Sequence, residues 1–502
     1  MLFDLYQGVH MAVFPQTTTL HGRGAKDEAV IGIRASAWGG PGIFSGDPLS
    51  GIAPDSCTSN GAAVFQSVDG ILYSVPQTKD SAGIGAAIAH AASLSPGSAV
   101  FLPAGRYRID AQVVVPREMT VRGAGTDLTK LEVFVDDDAV VTTAVEYGST
   151  GWLPIDDVVL KNFSLYPSDG NAPAGHHAAI AIQGCVNVRL ENILVQMGAG
   201  RKRRFGTGIR VRAWEGCLSR CVVRDSFTGY DLSWEDGWDR INGRFGCAAG
   251  TRDVELIGCR YETGETGRAL PPVAALRSAE YCTACGSIAG IAAPSPSFFP
   301  TTVRCNRPHR LHDGDQVEIS GCTAAAVNGS WRVMTVDDYR FAIPVETRSG
   351  GDAGAWSQVR CIRFATVGCH CLQNGADVET TGCANDRYNR CFSNVRVIDD
   401  RHFSVTVAED PGEWADGGNP QATGQVIGCY IDGSGTTMIG CTMRYDPGRE
   451  RPPERSVGVY ARGPGHTFLS CRVKKFGTKF RIRERNADTA SDRIGTETDT
   501  DA

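Results

Sequence analysis

The sequence has no run approaching the ~18 apolar residues of a membrane span, and Met1 to Leu20 contain no basic segment leading into an apolar one. Membrane insertion and an export signal are therefore not expected, and synthesis in a cytoplasm without secretion follows. Charge of one sign is scarce too. The net charge of −6 over 502 residues lacks the clustered cations that nucleic acid or an anionic bilayer demands. Coiled-coil heptads, phosphate loops, dinucleotide fingerprints and nucleophile motifs are absent, so no cofactor is expected. Glycine, by contrast, is abundant: 60 residues, well above the typical share of about 7%. Without a collagen period, that excess fits an architecture with many tight turns. The 18 cysteines, in a chain without an export signal, read as reduced thiols packed as small hydrophobes.

A short pattern recurs: apolar, any, small or polar, apolar, any, apolar. It begins at Leu160, Leu190, Leu218, Leu256, Cys282 (a weaker copy), Met438 and Phe468. First positions are 30, 28, 38 and 26 residues apart, then 156, then 30. Each copy alternates as a half-buried strand does. A unit of this size cannot bury its own apolar face, whereas stacked units can. The leucine-rich signature and its helices are missing, which leaves an all-β fold, a parallel β-helix solenoid. The fourth pattern position is cysteine at Cys221, Cys259, Cys285, Cys441 and Cys471, so a ladder of internal thiols is expected. Cys282 and Cys285 have a zinc-like spacing, but no second pair matches it, and no metal site is expected.

Ahead of these rungs, Asp80 to Leu94 reads as an amphipathic helix capped by Asp80 or Ser81. A helix there would plug the open end of the solenoid. It precedes Val100-Phe-Leu-Pro-Ala-Gly-Arg-Tyr-Arg-Ile109 and Met119-Thr-Val-Arg-Gly-Ala-Gly125. Helix, strand and turn in this order resemble the opening of the pectate-lyase-like right-handed β-helix superfamily, which includes phage tailspikes and capsule depolymerases. The resemblance covers roughly residues 79–290 and 426–480. It implies the fold, and leaves activity open among lyases, hydrolases, epimerases and pure binders. It also implies a homotrimer, and an N-terminal region that attaches to other virion proteins.

The 156-residue interval holds a second repeat. His309 to Cys322 recurs as His370 to Cys383, and Val333 to Phe341 as Val395 to Phe403, at offsets of 61 and 62 residues. Two tandem small β-barrel or sandwich modules are expected, similar to a module found in phage tail proteins. The second carries Ala376 where the first has Asp315. The chain thus divides into 1–78 (anchor or cap), 79–291 (first part of the β-helix), 292–358 and 359–424 (inserted modules), 425–483 (last rungs) and 484–502 (flexible tail).

Polysaccharide chemistry needs carboxylates for acid–base work and aromatic faces for sugar rings. Tyr230 to Arg240 is the densest such stretch, in the widest interval between neighbouring rungs. Asp231, Glu235, Asp236 and Asp239 are the candidate catalytic carboxylates, and a suitably spaced pair would serve glycoside hydrolysis. Tyr230, Trp234, Trp238 and Arg240 are the candidate substrate contacts, with Arg201, Arg203 and Arg204 upstream for an anionic glycan. The bland alternative is a solvated loop whose tryptophans cover a neighbouring rung. Asp136 to Asp138 and the His176–His177 pair are weaker candidates.

Three functions fit. The first is a virion-surface spike or fibre of a phage or phage-like particle, gene-transfer-agent-like particles included, that binds or cleaves host surface polysaccharide. The second is a free polysaccharide lyase, glycoside hydrolase or epimerase. The third is a structural tail component without glycan chemistry. The missing export signal and the tail-type modules favour the first.

Overall fold

The computed structural model describes residues 62–66, 72–94, 98–142, 155–168, 177–197, 204–233, 251–263, 272–292, 301–312, 315–343, 345, 354–373, 375–399, 401–415, 418–445, 455–463 and 465–483, together with short strands at 240–241, 244–245 and 493–495. Strands dominate and pair in parallel from one chain pass to the next. Leu160 lies opposite Leu190, Leu190 opposite Leu218, Leu218 opposite Leu256, Leu256 opposite Met438 and Met438 opposite Phe468. The repeat read from the sequence is therefore the stacking register itself, with one correction. Cys282 begins no rung; it ends an antiparallel strand, Val273–Cys282, and the rung after Leu256 starts 182 residues later, at Met438.

The third pattern position has a physical reason. Asn162, Asn192, Arg220, Gly258, Gly440 and Ser470 all adopt positive φ, between 51° and 64°. Each is the left-handed bend between two strands of one rung, where short polar residues and glycine cost least. Asn187, Glu215, Asp253 and Gly435 form a second such column at another corner. The cysteine column follows directly after the first bend. Cys221, Cys259, Cys441 and Cys471 are buried, and their thiols point to the carbonyls of Leu190, Leu218, Leu256 and Met438 on the preceding rung at 3.5, 3.2, 3.2 and 3.4 Å. A thiol here fills methyl-sized space and also serves a carbonyl at the corner. Cys285 lies outside the column and is exposed.

The helix Ser81–Leu94 starts where the Asp80 carboxylate accepts the Gly83 amide at 2.7 Å, so Asp80 is the cap. Its buried face, Ile84, Ala87, Ile88 and Ala91, joins the same apolar core as the rungs. The helix therefore closes the apolar interior at one end. The strand Leu72–Pro76 pairs in parallel with Ala99–Leu102, so the stack begins ahead of residue 79.

The two inserted modules are nested, not tandem. One seven-stranded sheet system runs from Val273–Cys282 to Cys361–Thr366 and on to Gly418–Thr423; the other occupies Cys285–Ala292 to Ala355–Gln358. Their strand orders correspond position by position. The first-described strand of the outer module thus precedes the whole inner module, and the expected boundaries at 292 and 359 are corrected accordingly. Each has its own apolar core, around Phe364 and Phe403 in the outer and Phe341 and Trp356 in the inner module.

The signature residues of the modules are architectural. His309 Nδ1 accepts the Leu311 amide at 3.0 Å while Nε2 lies 2.7 Å from the Asp337 carbonyl, and the ring meets Phe341 edge-on. His370 repeats this with Leu372, Asp399 and Phe403. Asn328 and Asn389 each hold both the amide and the carbonyl of a cysteine, Cys322 and Cys383. The Asp315/Ala376 difference, by contrast, distinguishes two docking contacts. Asp315 of the inner module pairs with Arg363 of the outer, at 2.9 and 3.0 Å. Ala376 of the outer module packs on Ile427, Tyr430, Val457 and Tyr460 of the rungs.

Candidate functional site

The expected site stretch begins inside the strand Thr228–Ser233. Its alternation separates the two first candidates. Tyr230 shares a column with Ile209, Cys429 and Val459 and is wholly buried, its hydroxyl donating to the carbonyls of Cys221 and Arg260 at 2.7 and 2.9 Å. It is a core residue and offers no face to a sugar, a correction to its assignment as a contact. Asp231 points the other way and shares its column with Arg210.

Asp231 is only 2% exposed. Arg210 Nε donates to its Oδ2 at 3.3 Å, and Ser233 donates its amide to Oδ1 at 3.1 Å and its hydroxyl to the same oxygen. The second arm of Arg210 reaches Asp138 Oδ2 at 3.4 Å. Asp138 Oδ1 accepts the Ala178 amide at 2.6 Å. Beside it stands His177, whose ring nitrogens lie 3.7–3.9 Å from carboxylate oxygens of Asp136, Asp137 and Asp138. On the next rung, Asp432 is opposite Ser233 and is equally buried, with Arg462 at 3.6 Å and the Tyr430 hydroxyl at 3.5 Å. Two residues along a strand and one rung apart, the Asp231 and Asp432 Cα atoms are about 8 Å from each other by strand geometry. A row of carboxylates and guanidinium groups thus runs up the outside of the rungs: Asp138, Arg210, Asp231, Asp432, Arg462.

Such a row can do two things. Buried charges held by opposite charges are preorganised, so a polar ligand meets fixed hydrogen-bonding groups. Carboxylates on one face, with an imidazole beside Asp138, are also the raw material of acid–base chemistry. Asp137, Asp138 and His177 bring ligand atoms within 4.8 Å of one another. Both Asp138 oxygens, however, already accept from Ala178 and Arg210, so the cluster is arranged to hold an imidazole and a guanidinium.

Trp234, Glu235, Asp236, Trp238 and Asp239 lie outside the described residues, as do Arg201, Arg203 and His176. They directly follow or adjoin elements of this face: Ser233 ends the strand that carries Asp231. Arg240 belongs to a short antiparallel pairing, Arg240–Ile241 with Arg244–Phe245. Arg204 is half-buried and stacks on Phe227 at 4.5 Å, and burial lowers its pKa from the ordinary guanidinium value. Sequence reasoning missed Arg210, Asp432 and Arg462 and treated Asp138 and His177 in isolation. The register read from the repeat would not have found Arg210: setting Leu190 opposite Leu218 places Ala181 opposite Ile209, and only a one-residue shift between Gln183 and Cys185 brings it opposite Arg210.

These features define a solenoid of stacked parallel rungs with a charged outer face and two inserted β modules. Residues 76–243 match the family model described as rhamnogalacturonase A/epimerase, pectate lyase-like. No curated protein matches the chain. Among solved structures, the chain is similar to Geobacillus virus E2 ORF18, at 14% identity and a TM-score of 0.27, over 36% of this chain and 33% of that one. It thus spans a third of that protein's length. It is also similar to the A-module of the Azotobacter vinelandii mannuronan C-5 epimerase AlgE4, at 12% identity over 82% and 88% of the two chains with a TM-score of 0.23. The tailspike protein of Acinetobacter baumannii phage AM24 follows at 9% identity over 63% and 88%, with a TM-score of 0.16.

Proposed function

We propose that the protein is a virion-associated spike or fibre of a phage or phage-like particle that binds host cell-surface polysaccharide along the outer face bearing Asp138, His177, Arg210, Asp231, Asp432 and Arg462. The observation that carries this reading is the row of buried, mutually paired carboxylates and guanidinium groups on the outside of the rungs. At the Asp432 and Arg462 end the outer module supplies the cover, since Arg462 and the Tyr430 hydroxyl lie against Gly375; the binding reading therefore leans on the end at Asp138, His177 and Arg210. The adjoining Trp234 and Trp238 supply the sugar platforms, Arg240, Arg201 and Arg203 the cations for an anionic glycan, and residues 1–78 the attachment to the particle. The stack is taken as right-handed and the assembly as a homotrimer. The pectate-lyase-like match over residues 76–243 supports the glycan side of the proposal.

Cleavage is the second reading, favoured by two buried carboxylates, Asp231 and Asp432, on one face of neighbouring rungs, with Glu235, Asp236 and Asp239 as further candidate acids and bases. A glycan array followed by a reducing-end assay on any bound glycan tests both. Trp234→Ala or Trp238→Ala should weaken binding by about 1–3 kcal/mol, the scale of a truncated aromatic anchor. If the site is catalytic, Asp231→Asn, Glu235→Gln or Asp236→Asn should abolish product while leaving binding largely intact. Binding without product assigns a pure receptor-binding role. Absence of binding to every surface glycan of the host, by folded protein, would leave the structural or free-enzyme alternatives.

A further inference from the structure

The two modules are copies, and one copy displays what its sheet face holds. By strand register, a four-residue row crosses the outer module as Cys391, Glu379, Thr423 and Val273. The corresponding row of the inner module is Ser330, Glu318, Ser357 and Cys285. In the outer module this row is occupied. Arg455, at the start of the rung strand Ser456–Arg462, places one guanidinium nitrogen 2.9 Å from Glu379 Oε2 and 3.0 Å from Cys391 Sγ. In the inner module the carboxylate is kept, and a serine hydroxyl, which accepts from Gln316 Nε2 at 2.7 Å and keeps a second lone pair, replaces the thiol. All four side chains there are exposed, and among the described residues no cation lies on Glu318.

The inner row lies in an open groove of about 630 Å³, bordered by Ser287, Ser320 and Gly329. A carboxylate ringed by hydroxyls, in a groove wide enough for a side chain and its backbone, is complementary to a guanidinium on an extended segment.

We propose that this face of the inner module is a docking site for an arginine-bearing extended segment of a partner protein, gripped by Glu318 and Ser330 as Arg455 is gripped by Glu379 and Cys391. The outer copy uses the face to seat its module on the rungs, and the inner copy, one step further out, presents it to a second protein. The proposal does not depend on glycan binding.

The probe is a synthetic peptide with the sequence of residues 450–457, the segment that supplies Arg455, titrated into the full chain by calorimetry. Saturable binding is expected, weakening as salt rises because the pair is exposed. Glu318→Gln in the protein, or Arg455→Gln in the peptide, should weaken it about tenfold, the scale of a charge-assisted hydrogen-bonded pair. Glu318 is exposed, so its replacement should leave the thermal unfolding of the protein unchanged. No saturable binding, or binding indifferent to Glu318→Gln, would overturn the proposal. Preference for a glucosamine oligomer over the peptide would overturn it as well, assigning the groove to an amino sugar.

Discussion

Asp315→Ala should undock the inner module from the outer one. Asp315 and Arg363 are both buried, their side chains 1% and 9% exposed, with N–O distances of 2.9 and 3.0 Å. At 2.9 Å and an effective dielectric of ~20 the gross Coulomb attraction is about 6 kcal/mol. Much of that offsets desolvation, so the cost of removing the aspartate alone is set by the guanidinium it strands, about 3–5 kcal/mol. Glu280 lies 3.6 Å from Arg363 but is 70% exposed, and so offers only a screened replacement. The assay is hydrogen exchange on the intact chain, since a multidomain protein does not report one global unfolding energy. Amides of the strands Gln316–Ser320 and Cys361–Thr366 should exchange about 100-fold faster or more, at ~1.4 kcal/mol per decade, while rung strands stay protected. The double change Asp315→Ala with Arg363→Met leaves no stranded charge and should recover most of the loss. A single variant costing under about 1 kcal/mol, or a double variant no better than the single, would refute the reasoning.

Two further outcomes follow from named groups. Thiol titration in denaturant without reductant should count nearly all 18 cysteines, whereas in the native protein, among the cysteines of the described residues, exposed Cys285 and Cys391 should react first. Column thiols such as Cys441, pushed up to about 12 chiefly by its contact with Cys259, should react only on unfolding. Burial holds the His370 pKa below 6.5, so below pH 6.5 the unfolded state binds more protons than the native one. The stability this histidine confers is complete above pH 6.5 and is lost as pH falls through its lowered native pKa. Melting of the outer module between pH 7.5 and 5 should show a slope that His370→Gln flattens, and an unchanged slope would count against the buried neutral ring.

The rungs were legible because their pattern is written by two independent constraints. Alternation marks the strands, and a left-handed bend forces a small or polar residue at a fixed place, as at Asn162, Gly258 and Ser470. Cys282-x-x-Cys285 imitated the pattern without obeying the second constraint, since neither Thr283 nor Ala284 has positive φ. The nesting of the modules was illegible because their shared signature starts at His309 and His370. Their opening strands, Val273–Cys282 and Cys285–Ala292, carry no common motif. The site was half legible. Acidic and aromatic density singled out the strand Thr228–Ser233, but Tyr230 and Asp231 face opposite sides of it, and only the parity of Ile209 and Arg210 on the neighbouring rung tells which faces out. The partners of Asp231 come from residues 21 and 93 positions upstream, Arg210 directly and Asp138 through it; no local spacing reveals them.

One physical rule explains how a solenoid accommodates so large an interruption. Thr228 pairs with Ile427 and Arg260 with Thr442 as though nothing lay between, so the stack is continuous across the insertion. The insertion is closed at its own neck, where Val273 pairs with Thr423. The inner module is closed in the same way, with Cys282 against Cys361 and Cys285 against Ser357. Closing a loop costs chain entropy that grows only slowly with its length. When the first and last strands of an insertion pair with each other, that cost falls within the insertion, and the host sees the equivalent of a short turn. Each module then needs contact beyond its neck to fix its orientation. The outer module finds it through Ala376 on Tyr430 and Tyr460, the inner one through Asp315 on Arg363. Against the rungs the apolar contact with Tyr430 and Tyr460 is joined by ion pairs, Glu379 with Arg455 and Asp377 with Arg481. Between the modules the contact is the buried pair of Asp315 and Arg363.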